Sequence, residues 1–247
     1  KSERKRKRYG LLGKHISYSF SKGYFIKKFQ ELGCLDHSYE NFDLADIKLL
    51  PKLLANNNIN GFNVTIPYKE AIIPYLDELD KKAATIGAVN TVKITENRLI
   101  GYNTDAYGFE IAIKTQLLKQ HKKALILGTG GASKAIAYVF DTLGIDFCYV
   151  SRSPKKNQIG YGELNPSVID AYQIIVNCSP VGTYPSVEEK PALPYGAISK
   201  EHILFDLIYN PEKTAFLKSG EAVGASIQNG LLMLEQQAEK DWQIWNS

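Results

Sequence analysis

Short apolar runs of strand character alternate with stretches whose apolar residues recur every three to four positions, from Tyr9 to the end of the chain. The pattern predicts strand YGLLG from Tyr9, a helix over 21–33, strand SYENFDL over 38–44, a helix over 46–56 and strand GFNVTI over 61–66. Two short helical pieces follow around 69–84, then strands AVNTVKI (88–94) and LIGYN (99–103). Residues 104–119 carry Phe109, Ile113 and Leu117 at four-residue spacing behind Thr104, which is able to cap a helix start. After this connecting helix, KKALILGTGGASKAIAYVF restarts the alternation with a fully apolar strand. Residues 153–171 show only a weak helical pattern, and NGLLMLEQQAEKDWQIW reads as a terminal helix with an apolar stripe through Leu231, Leu234 and Ala238. Strands alternating with helices predict an α/β protein with mainly parallel sheets. Two domains are expected, 1–103 with helix 229–247 packing back on it, and 104–228.

Composition changes this picture little. A chain of 247 residues, 44% hydrophobic and 23% charged, suffices for two modest domains with their own cores. The formal charge of +4 hints at nucleic acid, but the opening KSERKRKR alone holds six basic residues and one acid. The rest of the chain is close to neutral, so that run reads as a solvated tail and no nucleic-acid partner is expected. No apolar run approaches the roughly 18–20 residues that cross a bilayer, and the opening stretch lacks the apolar centre of a secretory signal. A cytoplasmic location without membrane contact is therefore expected. Cys34, Cys148 and Cys178 lack C-x-x-C spacing and read as buried thiols of a reducing compartment. The histidines at 15, 37, 121 and 202 are equally scattered, and no metal site is expected.

Candidate chemistry appears first in the restart segment. The predicted strand ends at Leu127, and Gly128, Thr129, Gly130, Gly131 and Ala132 then form a turn that lets a pyrophosphate approach the next helix's N-terminus. The match to G-x-G-x-x-G is incomplete, since Ser133 holds the last glycine position, and a plain strand-to-helix turn is the bland reading. The next strand, DFCYVSRSPKK, ends without the acid that would hold a free ribose 2′-hydroxyl. It offers Ser151, Arg152, Ser153, Lys155 and Lys156 instead. A guanidinium can grip a 2′-phosphate bidentately where a carboxylate would repel it, so NADP is favoured over NAD. Residues 104–228 are thus expected to form a Rossmann-like NADP-binding domain.

The second cluster lies in GFNVTIPYK (61–69). Strand alternation puts Asn63 and Thr65 on one face and Val64 and Ile66 on the other, Pro67 ends the ladder, and Lys69 opens the next element. An amide and a hydroxyl suit a hydroxylated ligand, and a lysine beside them can move a proton. The alternative is an exposed lysine at a helix start.

The motifs GFNVTIPYK, GAVNT (87–91), GYNTD (101–105) and GTGGAS, flanked by GLLGKHISYSFS, DLIYNPEKT (206–214) and NGLLMLEQQ, occur in one order along nearly the whole chain. This set resembles the shikimate dehydrogenase family, NADP-dependent enzymes that reduce 3-dehydroshikimate to shikimate in aromatic amino-acid biosynthesis. The resemblance implies that Lys69 and Asp105 are catalytic, meeting in the cleft between the domains. It implies that Ser19 and Ser21 hold the substrate carboxylate with Tyr209 nearby, that Asn63, Thr65, Asn90 and Gln237 surround the ring hydroxyls, and that Gly230 approaches the nicotinamide. The small acid is then the expected partner, in a monomer or homodimer. Three positions depart from the family pattern. The usual H-S-x-S-P is Tyr18, Ser19, Phe20, Ser21 and Lys22, and Lys81 replaces an acid common before G-A-V-N-T. A dual quinate/shikimate enzyme, a non-catalytic nucleotide-binding homologue and a folate-type dehydrogenase are the alternatives.

Overall fold

The computed structural model describes residues 6–17, 19–55 and 58–247. Tyr18, the basic residues of the first five positions and the end of the predicted 46–56 helix lie outside the described residues. The chain forms two units, Lys1–Thr104 with Gln237–Ser247, and Asp105–Gln236.

The first unit contains β1 (Arg8–Gly13), α1 (Phe20–Glu31), β2 (Ser38–Asp43), α2 (Leu50–Ala55), β3 (Gly61–Val64), α3 (Tyr68–Ala71), β4 (Glu78–Leu79), α4 (Lys81–Ile86), β5 (Thr91–Thr95) and β6 (Arg98–Tyr102). Its six strands are ordered β2-β1-β3-β5-β6-β4. The sheet is mixed rather than mainly parallel, because β5 runs antiparallel to both β3 and β6. The β5–β6 reversal is local: Glu96 and Asn97 both take positive φ, 49° and 61°, the geometry of a tight hairpin turn that returns the chain alongside itself. Leu12, Phe42, Leu50, Phe62, Val64, Ile72 and Val92 pack one side of this sheet.

The second unit contains α5 (Asp105–Lys114), β7 (Lys123–Leu127), α6 (Gly131–Thr142), β8 (Asp146–Ser151), β9 (Gln158–Gly160), α7 (Pro166–Ala171), β10 (Ile174–Asn177), β11 (Ile203–Asp206), α8 (Ala215–Glu221), β12 (Ser226–Gln228) and the start of α9 (Leu231–Trp245). All six strands are parallel, in the order β12-β11-β10-β7-β8-β9. The chain winds outward from β7 in one direction and restarts beside β7 with β10, so the ends of those two strands mark the topological switch point. As both faces of such a sheet are covered, β7, β10 and β11 are wholly apolar apart from their ends, and Leu125, Ile175 and Leu204 are fully buried.

Several expected boundaries move. Helix α5 stops at Lys114, because past it Leu117 is half-buried and Leu118 is 61% exposed, leaving no stripe to bury. The weakly patterned stretch 153–171 holds β9 and α7. In α9 the expected stripe begins wrongly, since Leu231 is exposed; the buried positions are Met233, Ala238, Asp241 and Trp245. Helix α9 belongs to the second unit up to Gln236 and to the first from Gln237. Its last turn docks through Trp245, which stacks on Tyr9 with ring centroids 4.6 Å apart and donates from Nε1 to the Val92 carbonyl at 3.0 Å. The three cysteines are half-buried rather than buried. Among the described residues no helix is long and apolar enough to cross a membrane.

Candidate functional site

Strand β3 ends at Val64, two residues earlier than alternation predicts. Ile66 consequently escapes the core and is 70% exposed, correcting its expected packing beside Val64. Thr65 is half-buried just past the strand, its N–H on the Leu12 carbonyl at 2.8 Å and its carbonyl accepting from the Tyr68 N–H at 2.9 Å. The turn places half-buried Lys69 in α3, where its carbonyl accepts from the Val89 N–H at 2.7 Å. Motif GAVNT is thus fastened directly to the lysine's backbone.

Asn63 is buried, and its side chain is closely engaged. Its Oδ1 accepts from the Tyr39 hydroxyl at 2.7 Å, while Nδ2 donates to Asp241 Oδ2 at 2.7 Å and lies 3.2 Å from Thr91 Oγ1. Ser21, in the first turn of α1, hydrogen-bonds the same Tyr39 hydroxyl. Burial, and then the Asp241 carboxylate, push the Tyr39 phenol well above its ordinary range, against the opposing hydrogen bond from Ser21. Ser19 caps α1, its Oγ accepting from the Lys22 N–H at 3.2 Å.

Asn90 is 2% exposed and joins the next two motifs. Its Oδ1 accepts from the Thr104 N–H at 2.7 Å, and its Nδ2 donates to Thr104 Oγ1 at 2.8 Å. The Thr104 hydroxyl, expected as a helix cap, donates instead to Asp241 Oδ1 at 2.6 Å. Asp105 follows directly as the first residue of α5 and is 2% exposed. Gln237 is half-buried on α9, one turn before Asp241. Ser21, Asn63 and Asn90 therefore share one network in the first unit. Of its connecting members, Tyr39, Thr91 and Asp241 are absent from the sequence expectations, and Thr104 was expected only as a helix cap. A carboxylate inside the stripe Ala238, Asp241, Trp245 was the available signal for Asp241.

In the second unit the glycine turn follows β7 at the switch point. Gly128 has φ +108°, a left-handed conformation that glycine alone enters freely, and a Cβ there would sit 3.4 Å from the Cys178 backbone. Thr129 and Gly130 are exposed, and a Cβ at Gly130 would meet no atom within 4 Å. The turn thus presents open backbone at the start of α6, where Gly131 and Ala132 are half-buried, which suits a pyrophosphate. Ser133, in place of the third glycine, is buried, and its hydroxyl returns to the Gly130 carbonyl at 2.6 Å. After β8, Ser151 Oγ accepts from the Ser153 N–H at 3.2 Å, and Arg152, Ser153, Lys155 and Lys156 are all exposed. These groups fit a phosphorylated dinucleotide.

At the end of β11, Asp206 is fully buried and accepts from Thr214 Oγ1 at 2.7 Å, Asn177 Nδ2 at 3.1 Å and the Ile208 N–H at 3.1 Å. Burial outweighs these bonds and pushes its carboxyl from 3.8 up to about 6. Half-buried Tyr209 follows three residues later, and Gly230 is buried before α9. Because the folded-state pKa is raised, the folded protein holds the Asp206 proton over a range in which the unfolded chain has lost it. Stability is therefore expected to fall as pH rises from about 4 to about 6 and to level off above. Asp206→Asn should flatten that slope in chemical-denaturation midpoints across the same range, and an unchanged slope would refute the assignment.

Residues 11–92 match the family described as the shikimate dehydrogenase substrate binding domain. Shikimate dehydrogenase (NADP(+)) of Methanococcus maripaludis strain C6 is 37% identical over 98% of this chain and 92% of its own length. A solved shikimate dehydrogenase in complex with NADP+ is 33% identical, with a TM-score of 0.87, over 97% of this chain and 89% of that one. The shikimate 5-dehydrogenase of Thermus thermophilus, solved with NADP(H) and shikimate, is 32% identical with a TM-score of 0.85 over 97% and 93%. Fold and glycine turn define the class, a two-domain α/β dehydrogenase with a Rossmann-like second unit. Identity sustained along nearly the whole length makes the assignment specific: the chain belongs to the shikimate dehydrogenase family.

Proposed function

We propose that this protein catalyses the reversible NADPH-dependent reduction of 3-dehydroshikimate to shikimate. The observation that carries this reading is the network joining GFNVT, GAVNT and GYNTD in a chain of this family. The bound nicotinamide supplies the hydride. Lys69 and Asp105 handle the proton of the hydroxyl being formed or oxidised, a positioned acid contributing roughly 10²- to 10⁴-fold in rate. Ser19, Ser21 and Tyr209 bind the substrate carboxylate, and Asn63, Thr65, Asn90 and Gln237 its ring hydroxyls. Gly128 to Ala132 would hold the pyrophosphate, Ser151, Arg152, Ser153 and Lys156 would hold the 2′-phosphate, and Gly230 would let its backbone approach the nicotinamide. These residues come from one chain, so a monomer or homodimer serves equally, and the reading places the protein in the cytoplasm.

The direct test is the rise of reduced-nicotinamide absorbance when shikimate meets NADP⁺; no rise would remove the reading. Arg152→Ala should raise the KM for NADP⁺ about 10- to 100-fold, the size of one or two lost charged hydrogen bonds, and leave turnover with NAD unchanged. Equal efficiency with NAD, insensitive to that change, would sink the 2′-phosphate assignment.

A further inference from the structure

Asp241 is 2% exposed, yet three donors point at it: Asn63 Nδ2 at 2.7 Å, Thr91 Oγ1 at 2.5 Å and Thr104 Oγ1 at 2.6 Å. Its oxygens accept from all three, so the carboxylate sets the direction of these bonds. Each threonine has one hydroxyl proton, and here both go to the carboxylate, their shortest contact. Thr104 Oγ1 is then left to accept from Asn90 Nδ2 at 2.8 Å, and the Asn90 amide orientation follows, with Oδ1 on the Thr104 N–H at 2.7 Å. Asn63 is fixed in the same way, its Nδ2 on Asp241 and its Oδ1 on the Tyr39 hydroxyl, which Ser21 also engages.

The chain leaves the first unit after Thr104 and re-enters it at Gln237. Thr104 is bonded directly to Asp241, and Gln237 lies one helical turn before it on α9. One carboxylate thus fastens the first unit at both chain crossings. Resting on the functional reading above, we propose that Asp241 is a positioning residue for the reaction. It fixes the orientation of the Asn63 and Asn90 amides and the backbone from which Asp105 and Gln237 depart. A role confined to docking α9 is served elsewhere on the helix, where Glu239 pairs with Lys28 at 2.6 Å and accepts from the Tyr24 hydroxyl.

The experiment compares Asp241→Ala, Asp241→Asn and Glu239→Ala with wild type in shikimate kinetics, NADP⁺ kinetics and thermal unfolding. Asp241→Ala should lower kcat/KM for shikimate about 10²-fold, the scale of a misplaced constellation, while the KM for NADP⁺ stays put. Asp241→Asn, which keeps the volume and one acceptor oxygen, should recover part of the loss. Glu239→Ala should lose stability and retain kcat/KM. Wild-type kcat/KM in Asp241→Ala, equal kinetic losses in Asp241→Ala and Glu239→Ala, or a matching rise in the KM of both substrates would overturn the proposal. If Asp241→Ala does not fold, Asp241→Asn is judged by the same criteria. A wild type inert toward shikimate defeats the functional reading instead, whereas an active wild type with unaffected Asp241 variants defeats only the positioning role.

Discussion

Lys69→Ala should lower kcat for shikimate oxidation by about 10²- to 10⁴-fold while leaving the protein folded. The side chain is half-buried in a short helix whose anchoring runs through the backbone and through Tyr68, which donates to the Leu44 carbonyl at 2.6 Å. Alanine preserves those anchors and is the better helix former, so unfolding midpoints should stay within about 1 kcal/mol of wild type. If the ammonium acts only in the transition state, kcat and kcat/KM fall together. If it merely binds shikimate, KM rises and kcat holds. Lys69→Arg separates charge from proton transfer, because a guanidinium keeps the positive charge but does not release its proton in the working range. An arginine variant within tenfold of wild type would reduce Lys69 to an electrostatic contact, and an alanine variant at that level would end its proposed role.

Such residues can be named from the sequence because their chemistry sits in short motifs, while their surroundings come from distant chain. The strand, glycine turn and helix around Gly128 were legible, since a fully apolar run followed by glycines has few other readings. The end of β3 was not. Alternation continues through Ile66 in the sequence, but the ladder stops at Val64, and nothing local announces the last paired residue. The antiparallel β5–β6 pair was likewise hidden, because the reversal between the two strands is made by two positive-φ residues, Glu96 and Asn97, that carry no glycine to mark them. Asp241 is the extreme case: its partners lie 178, 150 and 137 residues away, beyond any window of periodicity. A lone acid in a helical stripe shows that a partner is needed and does not say which.

Gly230→Ala is the second substitution expected to have a large effect, through backbone rather than chemistry. A Cβ at this position would stand 2.0 Å from the Leu207 carbonyl oxygen and 2.7 Å from its carbon, far inside contact distance and against atoms that no rotamer change can move. Gly230 is held from both sides, its N–H on the Ile208 carbonyl at 3.1 Å and its own carbonyl accepting from the Leu234 N–H at 3.0 Å in the first turn of α9. Relief therefore requires either the start of α9 or the segment after β11 to shift, and that segment leads to Tyr209. Overpacking of this kind costs about 1–3 kcal/mol or more, which in a chain of this size lowers the melting temperature by several degrees at about 2–4 °C per kcal/mol. The displacement should also reduce kcat/KM, by about 10²-fold for a shift near 1 Å. Gly23, exposed in α1 with no atom within 4 Å of its missing Cβ, supplies the comparison. Gly23→Ala should be neutral or stabilising by about 0.5–1 kcal/mol, as expected for removing a glycine from a helix. If Gly230→Ala melts with Gly23→Ala and keeps its activity, the close approach to Leu207 does not constrain the protein, and the case for a backbone-lined site at Gly230 loses its structural support.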